Sequence, residues 1–133
     1  MLTRRGFAAC ALCAVTGFLA TGAEAQNAPA GLKRTINKRT DGPMDGYETV
    51  NVRVDLDAGT LIPRHTHPGI ESSYVVEGAL ELSVDGEGAR TFNAGDGFQV
   101  PTRVPHSGKN GDKPTILAIT YVVAKGEPLV SPA

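Results

Sequence analysis

The segment GTLIPRHTHPGIESSYVVEG, residues 59–78, decides the reading of this chain. Pro63 and Pro68 exclude helix, so Leu61 to His67 reads as extended backbone. On an extended segment His65 and His67 lie two residues apart and turn both imidazoles to the same face. Glu71 follows the Pro68-Gly69 turn at the start of the next strand, where its carboxylate folds back toward that face. Glu71 to Glu77 contains Tyr74, Val75 and Val76, the texture of a strand, and Gly78 ends it. Inward parity from Glu71 places Ser73 and Val75 on the histidine side and Tyr74 on the opposite face.

The same texture continues on both sides. Upstream, Val50, Val52, Val54 and Leu56 alternate with Thr49, Asn51, Arg53 and Asp55, which predicts a half-buried strand. Downstream, Leu80, Leu82 and Val84 alternate with Glu81 and Ser83, and residues 85–88 (DGEG) close a hairpin. Arg90 to Phe92 begins the return, Gly95-Asp96-Gly97 turns, and Phe98 to Val100 runs into Pro101. Residues 115–123 (TILAITYVV) read as a long strand buried on both faces. Nothing after residue 25 shows a helical stripe. Short strands punctuated by Gly and Pro predict an all-β domain, with a jelly-roll barrel as the first candidate.

The ends differ from this middle. Arg4 and Arg5 form a positive head, Phe7 to Ala20 is apolar, and Ala23-Glu24-Ala25 is a small-x-small cleavage signal. Together they read as a signal peptide over residues 1–25, with Thr3-Arg4-Arg5-Gly6-Phe7 resembling a twin-arginine export signal. The apolar run falls short of the about 20 residues of a membrane span. An uncleaved anchor is the alternative. Cleavage after Ala25 predicts a periplasmic or secreted chain with no membrane association. Residues 26–46 read as a flexible arm, in which Leu32 to Thr40 is a solvated segment or a first edge strand. The barrel spans residues 47–124, and 125–133 form an extended tail with Pro128 and Pro132.

Composition limits the function. The full chain carries 13 basic and 14 acidic residues. Removing Arg4, Arg5 and Glu24 leaves 11 against 13, a formal charge of −2, which argues against nucleic acid as a partner. Both cysteines, Cys10 and Cys13, leave with the signal, so the mature chain has no thiolate ligand or disulfide. That leaves three histidines in all, His65, His67 and His106, each beside a turn in the predicted sheet. Imidazoles with a nearby carboxylate suit Mn, Fe, Co, Ni, Cu or Zn. On spacing alone, a pair of surface histidines, or one buried histidine satisfied by backbone, is an equal reading.

The motifs carry a further resemblance. Residues 59–78 resemble the first cupin motif, G-x5-H-x-H-x3-E-x6-G, at every fixed position. Residues 95–110 (GDGFQVPTRVPHSGKN) resemble the second, G-x5-P-x-G-x2-H-x3-N, matching its Gly, Pro, His and Asn but holding Arg103 where the pattern has Gly. The short interval Ala79 to Ala94 is similar to that of small single-domain bacterial cupins. The resemblance implies a double-stranded β-helix, or jelly-roll, barrel with one divalent transition metal at its mouth, of the series Mn, Fe, Ni, Cu or Zn. It maps the ligands onto His65, His67, Glu71 and His106. It also implies pairing into a homodimer.

Three imidazoles and a carboxylate fill four of six octahedral positions and leave two for a small-molecule ligand. The leading expectation is therefore a metal-dependent, dioxygenase-like enzyme acting on a small oxygen-chelating organic substrate. Glu71 would be both ligand and, when displaced, proton acceptor. A periplasmic module that binds or stores metal or a small ligand is one alternative. A non-oxidative isomerase or lyase is another. Ser73 reads as a substrate hydrogen-bond donor or a structural serine. Arg103 reads as a solvent-facing loop residue or as an anion contact at the pocket mouth. An arginine at the glycine position of that turn takes the left-handed backbone or forces a different turn, at a cost of about 1 kcal/mol.

Overall fold

The computed structural model describes residues 28–133. The segment expected to be a signal peptide, the expected cleavage site, Cys10 and Cys13 lie outside the described residues. Those residues form ten strands and no helix: β1 Leu32–Asp41, β2 Tyr47–Leu56, β3 Leu61–Thr66, β4 Gly69–Glu77, β5 Ala79–Val84, β6 Gly88–Asn93, β7 Gly97–Val100, β8 His106–Asn110, β9 Thr115–Ala124 and β10 Ser131–Pro132. They pair, antiparallel throughout, into two five-stranded sheets, β1-β2-β9-β4-β7 and β10-β3-β8-β5-β6. The alternation in β2 works as its sequence predicts. Val50, Val52, Val54 and Leu56 are at most 3% exposed and face Leu80, Leu82, Val84 and Phe92 of the second sheet. Burying such aliphatic side chains is the main driving force for closing the sheets, at about 1.5–3 kcal/mol each.

Two segments are more ordered than composition suggests. Most of the expected arm is β1, which pairs with β2 from Leu32↔Leu56 to Asp41↔Glu48. Its four basic residues do not alternate with apolar ones as those of β2 do, because an edge strand has only one sheet neighbour to satisfy. The tail contributes Leu129, 4% exposed in the core, and β10, which pairs with Thr66 and His65. β9 departs from its expected burial on both faces. Leu117, Ile119, Tyr121 and Val123 are buried, whereas Ile116, Thr120 and Val122 are half-buried and Ala118 is exposed. It sits centrally between β2 and β4, with one face buried in the core and the other partly open.

Two local features bring the motifs together. Gly69 lies so close to β9 that a Cβ there would meet the Val122 carbonyl oxygen at 1.9 Å, so only glycine lets β4 enter its sheet straight after His67. Asn110 locks the far end of the barrel. Its Nδ2 donates to Asp57 O at 2.8 Å and Lys113 O at 2.9 Å, and its Oδ1 accepts from the Thr115 hydroxyl at 2.7 Å. One buried amide thereby ties together the loops after β2 and β8.

Candidate metal centre

β3 and β8 pair with His65 directly opposite His106. In a β ladder, opposed residues project to the same side, so these two imidazoles share one face of the second sheet. His67 stands one residue past β3, where the chain crosses to β4 in the first sheet. Its ring centroid lies 4.9 Å from that of His65 and 5.0 Å from that of His106. One ring nitrogen from each of the three histidines lies within 4.8 Å of the others. His67 and His106 are each 3% exposed, and His65 is half-buried.

The hydrogen bonds set the tautomers. Nδ1 of His65 donates to Pro63 O at 2.7 Å, Nδ1 of His67 to Leu129 O at 2.6 Å, and Nδ1 of His106 to Val104 O at 2.9 Å. A carbonyl oxygen only accepts, so each Nδ1 carries the hydrogen and each neutral ring keeps its lone pair on Nε2. The Nε2 atoms of His67 and His106 are buried with no hydrogen-bond partner among the described residues. A buried acceptor left unmet is costly. Three lone pairs aimed into one small space, each fixed by a backbone carbonyl behind it, are the arrangement that holds a transition metal. The residues present therefore fit a divalent ion, with His65, His67 and His106 positioned to bind it.

Glu71 lies against the same point. Its Oε2 is 2.8 Å from His67 Nε2 and 3.4 Å from His106 Nε2. These are close approaches rather than aligned hydrogen bonds, and with both rings in the Nδ1–H form they set lone pair against lone pair unless a cation or proton lies between. Ser73 Oγ donates to Glu71 Oε1 at 2.6 Å, so the inward parity expected of Ser73 holds and its hydroxyl orients the carboxylate. Burial raises the pKa of Glu71, but His106, His67 and Ser73 together outweigh it and hold the group ionised far below the usual carboxylate range. Burial, with the neighbouring His106, lowers His65 to about 4. Burial also lowers His106, yet Glu71 and the Val104 carbonyl overcome it and leave its pKa raised.

Arg103 stands elsewhere. Its backbone takes the left-handed conformation that the missing glycine demands, with φ of 60°, and its N–H donates to His67 O at 3.0 Å. Its side chain is exposed and forms an ion pair with Glu127 at 2.7 Å. Arg103 thus supports the site through its backbone, while its guanidinium stays at the surface.

Three features of the site escaped the sequence reading. Leu129 in the tail supplies the carbonyl behind His67, a link across 62 residues. Tyr121 of β9 lies opposite Glu71 in β4, with its ring 4.7 Å from His67. Arg34 of β1 lines the same narrow cavity, about 40 Å³, as His65, Glu71, His106 and Tyr121. Tyr121 shares the parity of Leu117, Ile119 and Val123 in β9, a signal hidden because the whole segment is apolar enough to read as buried on both faces; nothing local marked the other two.

Comparison with known proteins agrees with this geometry. No curated protein matches the sequence. Among solved structures, the DMSP lyase DddQ from Ruegeria pomeroyi superposes with a TM-score of 0.66 at 22% identity, covering 84% of this chain and 55% of the lyase. This chain thus spans about half the length of that relative. KdgF from a Halomonas species superposes with a TM-score of 0.62 at 25% identity, over 75% of this chain and 87% of its own. An RmlC-like cupin from Shewanella frigidimarina gives 0.53 at 28% identity, over 67% and 86%. A family profile described as "Cupin domain" matches residues 52–127, from within β2 to beyond β9. With that match over more than half its length and a two-sheet barrel converging three histidines on one point, the chain belongs to the cupin family.

Proposed function

We propose that this protein is a metal-dependent enzyme of the dioxygenase-like kind, acting on a small organic acid that chelates through oxygen. The observation that carries the proposal is the set of three imidazoles whose Nδ1–H groups are tied to backbone and of which one ring nitrogen each lies within 4.8 Å of the others. His65, His67 and His106 would hold the ion, with Glu71 as the fourth ligand. When bound, such an ion polarises chelating oxygens and, if redox-active, exchanges electrons with dioxygen. The chain's own residues do the rest. Ser73 holds the Glu71 carboxylate in place. Glu71 stays an anion while it faces the imidazoles, and accepts a proton only once those contacts are broken. Tyr121 is kept neutral by burial and by the Glu71 charge, so its hydroxyl serves as a donor. The apolar lining, including Leu80 and Ile119, limits water.

The proposal includes export of the chain after cleavage near Ala25 and pairing of two copies. For pairing, Ile70, Tyr74 and Val76 of β4 provide an exposed apolar strip, 45–51% accessible. The test is oxygen uptake by protein loaded separately with Fe, Mn, Cu and Zn, with 2-hydroxy and 2-oxo acids as substrates. Uptake with a redox metal, absent in His106→Ala and with Zn, is expected. Turnover without oxygen on the Zn form would replace the oxidative reading with a lyase or isomerase. Metal held without turnover on any acid would replace it with a binding module.

A further inference from the structure

Six arginines lie among the described residues. Arg39 pairs with Glu48, Arg53 with Asp55, Arg64 with Asp85 and Arg103 with Glu127. Arg90 lies over the Phe92 ring. Arg34 has no such partner, and its Nε is shut from solvent with no acceptor among the described residues. A buried guanidinium N–H without an acceptor is a donor waiting for one.

Its position makes that donor useful. Arg34 stands opposite Val54, whose side chain is in the core, so the pleat turns Arg34 inward. It lines the cavity that also contains His65, Glu71, His106 and Tyr121. The register sets the spacing. Arg34, Val54 and Leu117 form one row across the sheet, and Val50, Tyr121 and Glu71 form another. The rows are four residues apart along β9, from 117 to 121, about 13 Å at the usual strand rise. A long arginine side chain bridges part of that distance, and a small molecule bridges the remainder.

Charge gives the class of molecule. A divalent ion, the Glu71 carboxylate and the Arg34 guanidinium sum to +2 in a cavity whose other walls are mostly apolar. Such a site favours an anion with charge at both ends. We propose that Arg34 is the anion-recognition residue of this cavity, binding a carboxylate at the far end of a small hydroxy- or oxo-acid whose chelating oxygens face the histidines. This rests on the metal-dependent reading above and narrows its substrate class to acids with a second carboxylate. The role of anion contact, open to Arg103 on sequence grounds, passes to a residue at the other end of the chain.

The test uses full-length mature protein loaded with Co(II), whose ligand-field bands report chelation without turnover. Two probes are titrated: malate, and 2-hydroxybutyrate, which has a methyl in place of the distal carboxylate. The expected result is a ~10- to 100-fold preference for malate, the range of one charge-assisted bidentate contact. In Arg34→Gln that preference is lost, while cobalt stoichiometry and 2-hydroxybutyrate affinity stay unchanged. If Arg34→Gln does not fold, Arg34→Met, which keeps the packing of the stem, is read in the same way. Equal affinity for the two acids in the wild type, or a preference retained in the variant, overturns the role of Arg34 but leaves the metal centre standing. Failure to take up cobalt removes both.

Discussion

At the residue scale, the site depends on which nitrogen of each imidazole bears the hydrogen. Three carbonyls, from Pro63, Val104 and Leu129, make that choice. Two of them lie two residues before the histidine they orient, so His65 and His106 are each oriented by the backbone immediately preceding them. The buried His65 also has a pH consequence. Its pKa falls from 6.5 in the unfolded chain to about 4 in the fold. Between those values the unfolded chain binds a proton that the folded chain refuses, so this group's contribution to stability falls as pH drops from 6.5 toward 4. In the metal-free protein, wild type should therefore lose stability relative to His65→Leu over that interval. Urea denaturation of both at pH 7, 5.5 and 4.5 measures the difference. A constant gap across the three pH values would mean that His65 is not held neutral by the fold.

At the scale of elements, β10 and the tail before it deserve to be treated as part of the centre. Leu129 is buried, its carbonyl accepts from His67, and β10 pairs with His65 and Thr66. Ending the chain after Pro128 removes the group behind one imidazole while leaving all three histidines in place. Loss of such a supporting partner typically lowers metal affinity by about 10–100-fold. Competition with a chromophoric chelator should show that loss, and the truncated chain should retain its β-rich circular dichroism. β1 teaches a related lesson. Its sequence, LKRTINKRTD, has too few apolar residues to choose between a solvated segment and an edge strand, yet β2 pairs with it along its length, with one register shift between Ile36 and Lys38. Backbone pairing there outweighs side-chain pattern, because a sheet edge rewards any chain that can stay extended.

At the scale of the whole molecule, a metal bound only by the native state should couple to folding. At a free concentration one hundred times its dissociation constant, the ion adds about 2.7 kcal/mol to stability. For a domain of this size that corresponds to a rise in Tm of roughly 10–20 °C. Differential scanning calorimetry with Zn and with excess EDTA checks it, and His106→Ala should abolish most of the difference. An unchanged Tm in the wild type would mean that the histidines do not hold the ion in the native state.

The sequence by itself determined the strands that alternate and the turns that glycine and proline require; spacing brought His65 and His67 to one face, and the resemblance to the cupin motifs, not spacing, completed the candidate ligands with Glu71 and His106. Parity along a strand and the exclusion of helix by proline act within a few residues. The tertiary structure decided what depends on distance in the chain. It placed His106 across the ladder from His65, brought the Leu129 carbonyl behind His67, and left Arg103 at the surface while turning Arg34 into the cavity. The physical reason is that a barrel closes by pairing strands far apart in sequence, so which side chains share its interior is set by register between strands, and register is written in no single segment.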